Sequence, residues 1–158
     1  MNRILMTIAV IGTLLCACAS AQTQPAEYHS AAELKERFAK LAQEAKAKNA
    51  GSSGADLGAY ANHALKLSYR RASGTAEVHE HFADLFVVQR GSAVLITGGK
   101  LVEPKREAEG EIRGKEISGG SRQTLSPGDI IHVPANTPHQ VMVESGSEFE
   151  AFVLKIRE

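Results

Sequence analysis

Cysteine is scarce in this chain, and the position of the few cysteines limits what they can do. Both of them, Cys16 and Cys18, fall in the first 21 residues, ahead of a candidate cleavage site. A chain cut at that site keeps no cysteine, so its stability owes nothing to disulfide bonds. An excess of charge is also absent, because 18 basic residues balance 18 acidic ones. This balance gives no indication of a nucleic-acid partner or of an anionic membrane partner.

Several common catalytic signatures are missing as well. The sequence has no glycine-rich loop that would cradle a phosphate, no dinucleotide-binding pattern and no nucleophile paired with a base. It contains no internal repeat and no low-complexity tract. Its length of 158 residues suits one domain.

The first 21 residues have the pattern of a secretory signal peptide. A basic start at Arg3 precedes an apolar run over residues 4–15, and residues 19–21, Ala-Ser-Ala, form a small-residue cleavage site. The run is too short to predict a transmembrane helix. A second interpretation stays open, because the sequence around Cys18 loosely matches a lipobox, which would leave a lipid anchor on that residue. We therefore expect an exported protein, periplasmic or secreted, with lipid anchoring in the envelope as the alternative.

A helix is predicted over residues 31–48, after a loose tail. Ser30 and Glu33 have the spacing of a capping box. One apolar stripe then follows at helical spacing: Leu34, Phe38, Leu41 and Ala45. The stripe is narrow, which predicts packing on the outside of a sheet or on a partner subunit. Glycine and serine at residues 51–54 predict a turn or a short linker after the helix.

From residue 59 onward the apolar period changes to two, which predicts strands. Alternation at Leu65, Leu67 and Tyr69 indicates a half-buried strand, and about nine short strands with glycine or proline turns follow in all. Residues 91–92 and 119–120 predict hairpin turns, and the charged residues 104–110 predict a surface loop. The pattern favours a closed or double-sheet β architecture.

The candidate functional residues begin in the segment before Gly91. His79 and His81 are two residues apart, so on a strand both imidazoles leave the same face, and Glu77 shares that face. Asp84 follows close to a predicted turn. A second segment brings His139 in just after a turn bounded by prolines. Imidazoles from two separate strands with a carboxylate nearby indicate a site for a divalent transition metal.

These two segments resemble the motifs of the cupin superfamily over residues 65–156. Asp84 is followed by six residues and Gly91, as in the first motif, and the second motif is matched by Pro127-Gly128-Asp129, Val133-Pro134 and His139. The resemblance implies a mainly β fold, the double-stranded β-helix of a jelly-roll or cupin barrel, preceded here by one N-terminal helix. The implied organisation is a signal peptide over 1–21, a tail and helix over 22–54 and the barrel over 55–158.

The first motif departs from the family pattern in two ways. Asp84 stands where glutamate is usual, and only two residues separate it from His81. If the usual gap is kept instead, Glu77 and His79 take the two histidine places. The candidate metal ligands are therefore His79, His81, Asp84, His139 and Glu77, with Glu77 and His81 as alternatives. The metal implied is Fe, Mn, Ni or Zn.

The resemblance leaves more than one function open. The first is a small-molecule metalloenzyme, an oxygenase, isomerase or lyase acting on a small polar substrate, with Asp84 or Glu77 as the fourth ligand or a general base. The second is a non-catalytic metal- or ligand-binding cupin of the cell envelope, and the third is a metal-free structural module. Cupin barrels often pair through their sheets, so we expect a homodimer.

Two further groups of residues are given structural interpretations. His132 is interpreted as a packed or surface histidine rather than as a ligand. Arg70 and Arg71 are interpreted as a solvated basic pair, with contact to an acidic substrate at the barrel mouth as the alternative.

Overall fold

A computed structural model describes residues 25–158, which form one α-helix and thirteen β-strands. In chain order these are α1 (Ala31–Ala47), β1 (Ser52–Ala59), β2 (His63–Arg70), β3 (Ala76–His79), β4 (Phe82–Gly91), β5 (Ala93–Thr97), β6 (Lys100–Val102), β7 (Lys105–Ala108), β8 (Glu111–Gly114), β9 (Glu116–Ser118), β10 (Ser121–Leu125), β11 (Ile130–Val133), β12 (His139–Met142) and β13 (Phe149–Arg157). The predicted fold, mainly β with one preceding helix, is confirmed. The predicted signal peptide, with Cys16 and Cys18, lies outside the described residues. Within the described part of the chain, no helix combines the length and the apolar character needed to cross a membrane.

The strands form two large sheets that face each other, and every strand pair is antiparallel. One sheet has the order β1-β2-β13-β4-β11, the other has the order β10-β5-β12-β3-β8-β7, and β6 pairs with β9. One apolar core draws on both large sheets: Phe86, Val88, Ala93, Leu95, Leu125, Val133, Val141, Val143, Phe149, Ala151 and Val153. Burial of each larger side chain in this core stabilises the fold by roughly 1.5–3 kcal/mol.

Helix α1 covers the outer face of the first sheet. The Ser30 hydroxyl accepts a hydrogen bond from the Glu33 amide at 3.1 Å, which caps the helix at its start. The Glu33 carboxylate does not complete the capping box and instead accepts from the Arg37 side chain at 2.8 Å. The buried stripe of the helix packs on Leu67 and Tyr69 of β2. The predicted packing on the outside of a sheet is therefore confirmed.

The packing of α1 shows which face of β2 lines the interior of the barrel. Leu67 and Tyr69 point outward to the helix, so the alternate residues Lys66, Ser68 and Arg70 point inward. The apolar alternation that predicted this strand thus belongs to its outer face. Its inner face is polar, and it lines a cavity in the barrel.

Two predicted irregular segments are strands. The predicted turn over residues 51–54 is wrong, because β1 begins at Ser52 and pairs with β2 along its length. The predicted boundary between residues 54 and 55 therefore falls inside a strand. The predicted loop over residues 104–110 is also wrong, because Lys105–Ala108 forms β7 against β8. One segment is rich in glycine and the other in charged residues, and both compositions disfavour strands. Hydrogen bonds from the neighbouring strands outweigh this weak local preference.

The two predicted hairpins are not formed. Strand β4 ends at Gly91 and β5 begins at Ala93, but the two strands belong to different sheets. Strands β9 and β10 flank Gly119-Gly120, but they pair with β6 and β5 instead of with each other. Gly91 has a φ of 77°, and a Cβ on it would lie 1.8 Å from the Glu148 carbonyl oxygen. The chain therefore does turn at these glycines, but each turn leads from one sheet to another and does not close a hairpin.

Candidate metal centre

Three strands from the two facing sheets bring four candidate ligands together. Glu77 and His79 lie on the inner face of β3, and His139 begins the neighbouring strand β12, opposite Glu77. Asp84 lies on β4 in the other sheet. The site therefore lies inside the barrel, between its two sheets.

The four side chains are buried and their ligand atoms converge. One ligand atom from each of Glu77, His79, Asp84 and His139 lies within 4.8 Å of all the others. The Nε2 atom of His139 is 3.3 Å from Glu77 Oε1 and 3.6 Å from Asp84 Oδ2, and Nε2 of His79 is 3.5 Å from Asp84 Oδ2. We call these four residues the four-residue cluster.

The outer nitrogen of each imidazole has a partner that fixes the ring. Nδ1 of His79 lies 2.7 Å from the Glu111 carboxylate, and Nδ1 of His139 lies 3.0 Å from the Thr137 carbonyl oxygen. Because both partners are acceptors, each Nδ1 is assigned the proton. The lone pair of each Nε2 is then directed into the cluster. Metal-bound histidines are held in this way by partners on the other ring nitrogen.

The inner nitrogens have no such partner. Among the described residues, Nε2 of His79 and Nε2 of His139 are buried without a hydrogen bond. Buried polar atoms almost always have a hydrogen-bond partner. A nitrogen lone pair that faces a carboxylate oxygen is repelled by it instead. Two imidazole nitrogens and two carboxylates are the donors that a divalent transition metal prefers, so the residues fit such an ion.

Asp84 is held in its charged form. Burial by itself raises the pKa of Asp84. The imidazoles of His139 and His79, in the state that carries a proton on Nε2, and the Lys155 ammonium lower it by more, so the pKa of Asp84 lies well below its usual range. Lys155 Nζ lies 2.8 Å from one carboxylate oxygen and 3.0 Å from the other. Burial lowers the pKa of Lys155, and the charge of Asp84 opposes that effect. Asp84 is therefore available as an anionic ligand.

Glu77 has a basic neighbour of its own. The guanidinium of Arg113, on β8, forms an ion pair with the Glu77 carboxylate and lies 3.7 Å from Glu111. Each carboxylate of the cluster thus contacts one cation from the barrel wall, and each also points at an imidazole nitrogen.

His81 lies outside the four-residue cluster. Its side chain is 49% exposed, its ring packs against Gly110, and its Nε2 is 3.9 Å from Glu109. The predicted shared face of His79 and His81 is wrong, because β3 ends at His79 and the next two residues bend before β4 begins. The structure instead brings together the residues of the alternative motif alignment, in which Glu77 replaces a histidine.

Three neighbours of the cluster were not found from the sequence: Glu111, Arg113 and Lys155. Lys155 could have been found from the sequence. Phe149, Ala151 and Val153 alternate along β13 and point into the core, and Lys155 lies on the same face of the strand. A lysine on the buried face of a strand indicates a buried partner. The other histidine of the second motif, His132, is on the surface as interpreted, 3.8 Å from Glu158.

Comparisons with known proteins support the fold. No family model and no curated protein matches the sequence. A double-stranded β-helix protein of Klebsiella pneumoniae matches in structure, with a TM-score of 0.51, 15% identity and coverage of 68% of this chain and 78% of that chain. The DMSP lyase DddQ of Ruegeria pomeroyi matches with a TM-score of 0.49 and 18% identity over 66% of this chain and 46% of that one. A sugar phosphate isomerase of Silicibacter pomeroyi, described as a cupin, matches with a TM-score of 0.47 and 18% identity over 68% and 60%.

At these identities the likeness concerns the fold alone. This chain has a double-stranded β-helix fold, which is the fold that the resemblance of its two motifs implied. The chain spans less than half of the length of the lyase that it matches.

Proposed function

We propose that this protein is a metal-binding cupin that acts on a small molecule, with a divalent transition metal held by Glu77, His79, Asp84 and His139. The observation that carries the proposal is the pair of buried Nε2 atoms without partners, both directed at two carboxylates. Fe, Mn, Ni and Zn all accept imidazole, and the two carboxylates favour the harder members of this group. Such an ion, when bound, supplies Lewis acidity and a site for water or substrate.

A catalytic role is supported by space beside the cluster. A cavity of about 190 Å³ is bordered by Glu77, His79 and Asp84 together with inward-facing residues of β2 and β13. A small polar molecule in this cavity would lie next to the proposed metal. We therefore propose a metalloenzyme of the oxygenase, isomerase or lyase type, and a non-catalytic metal- or ligand-binding protein of the envelope is the alternative that shares the same site.

The test begins with the protein purified from cells supplied with Fe, Mn, Ni and Zn. Elemental analysis should find about one metal ion per chain, and a turnover screen over small polar substrates with each metal should then find activity with at least one of them. Bound metal without turnover over the whole screen would support the non-catalytic alternative. Protein that takes up no metal would contradict the proposed site.

We also propose export, on the basis of the sequence alone. The basic start, the apolar run and the Ala19-Ser20-Ala21 site support cleavage before Gln22. N-terminal sequencing of the protein from an expressing bacterial host should find Gln22 as the first residue. A lipid on Cys18 would support the anchored alternative, and an intact Met1 would contradict both.

A further inference from the structure

The cavity beside the four-residue cluster is lined by an unusual number of basic side chains. Arg70 and Lys66 reach it from β2, Arg113 reaches it from β8, and Lys155 reaches it from β13. Arginine and lysine are rarely turned into a barrel unless a charge of opposite sign compensates them. The partners of these four cations therefore indicate which of them is available to a ligand.

Three of the four cations have carboxylate partners. Arg113 pairs with Glu77, and Lys155 pairs with Asp84. Lys66 Nζ lies 2.5 Å from the exposed Asp56 carboxylate of the neighbouring strand β1. Each of these ion pairs satisfies its cation within the protein.

Arg70 has no such partner within residues 25–158. Burial is the one influence that lowers the pKa of Arg70, and no carboxylate opposes it. Arg113 lines the same cavity, but it is paired with Glu77 and lies 3.7 Å from Glu111. Arginine nevertheless stays protonated in proteins. The interpretation of Arg70 as solvated is therefore replaced, whereas its neighbour Arg71 is exposed as interpreted.

The position of the Arg70 side chain is set by a glycine. A Cβ on Gly74 would lie 2.4 Å from Nη1 of Arg70, so the guanidinium occupies space that any other residue at position 74 would fill. The backbone of Gly74 is itself held, because its N–H donates to the Val141 carbonyl at 2.9 Å and its carbonyl accepts from Gln140 at 2.8 Å. The guanidinium is thus directed into the cavity by the fold.

From this arrangement we propose that the cavity binds the carboxylate group of a small organic acid, with Arg70 as the residue that receives it, beside the proposed metal. A planar guanidinium matches a carboxylate with two parallel hydrogen bonds. The volume of about 190 Å³ limits the ligand to a molecule of a few heavy atoms. This inference rests on the proposed function for the neighbouring metal and names the substrate class of that site.

Charge balance makes the anion and the metal cooperative. A bound divalent ion would add two positive charges beside the cavity, and an anionic ligand there would offset part of them. Each ligand should therefore raise the affinity of the protein for the other by the same factor.

The test measures binding of acetate, succinate and inorganic phosphate, with acetamide as the neutral control. Calorimetric titrations use the metal-free protein and the Mn(II)-loaded protein. Acetate and succinate should bind, more tightly when Mn(II) is present, and acetamide should not. Arg70→Gln should lower the affinity for both carboxylates at least tenfold, since a charged hydrogen-bonding pair is lost. Arg71→Gln removes the same charge one residue away and should leave the affinity unchanged.

The remaining outcomes separate this inference from the proposed metal site. Arg70→Lys keeps the charge and should restore part of the affinity, and circular dichroism of Arg70→Gln checks that this variant is folded. Wild-type affinity in Arg70→Gln, or no carboxylate binding to the Mn(II)-loaded protein, would overturn the inference. Phosphate that binds more tightly than the carboxylates would overturn it in favour of a phosphorylated ligand. Elemental analysis of the same samples tests the metal separately: Arg70-dependent binding to a wild-type protein that takes up no metal would support the anion site and contradict the metal site.

Discussion

His79 and His139 each have one ring nitrogen held by the protein and the other directed into the four-residue cluster. Because the contact from Glu111 fixes the ring and the tautomer of His79, its loss should weaken metal binding without removing a ligand. We predict that Glu111→Ala lowers metal affinity about 10–100-fold, measured by competition with a chelator. Glu109→Ala is the matched control, since Glu109 lies beside His81 instead. Equal affinities in the two variants would show that the Glu111 contact does not orient a ligand.

At the residue scale, the sequence left Glu77 and His81 as alternatives for a physical reason. Both lie at even spacing from His79, so the choice depends on whether the strand continues past His79. Contacts from distant parts of the chain end strand β3 at His79. The backbone N–H of Asn136 donates to the His79 carbonyl, and the backbone N–H of Glu80 donates to the Gly110 carbonyl, both at 2.8 Å. Local periodicity contains no information on either contact.

At the scale of the elements, helix α1 and the metal site lie on opposite faces of the first sheet. Leu41 is 3% exposed and packs against the outer face of β2, so Leu41→Ala should lower the free energy of unfolding by about 2–5 kcal/mol. The same variant should keep the metal content of the wild type, because the helix packs on Leu67 and Tyr69, on the face of β2 opposite the site. Urea denaturation and elemental analysis measure the two effects.

The control for this variant is Lys40→Ala, an exposed position on the same helix. It should change the free energy of unfolding by less than about 0.5 kcal/mol. A folded Leu41→Ala protein that has lost its metal would contradict the separation of the helix from the site.

The elements themselves were predictable wherever local chemistry determines them. The cap at Ser30 and the apolar stripe of α1 predicted the helix, and period-two alternation predicted β2. The partners of the strands were not predictable in the same way. A glycine with positive φ, such as Gly91, shows where the chain turns, but whether the next strand pairs with the last one or crosses to the facing sheet depends on strands far away in the sequence.

At the scale of the whole molecule, the sheet edges bear on self-association. Strand β11 ends the first sheet, and Ile130 on this edge is 66% exposed. Exposed apolar edges favour pairing with a second chain. We predict a homodimer at micromolar concentration in sedimentation velocity, and a shift toward monomer in Ile130→Glu. A wild-type protein that sediments as a monomer would contradict this prediction.

We propose that residues of both facing sheets hold the metal and that His81 does not. The metal content of four proteins after loading with Mn(II) or Zn(II) tests this assignment: wild type, His139→Ala, His139→Gln and His81→Ala. Circular dichroism checks that each is folded, and His139→Gln keeps most of the buried volume of the imidazole.

We expect about one metal ion per chain in the wild type and in His81→Ala. Both His139 variants should lose stoichiometric metal, because each lacks the ligand that β12 contributes. Wild-type metal content in the folded His139 variants, or a loss of metal in His81→Ala as large as theirs, would contradict this assignment of ligands.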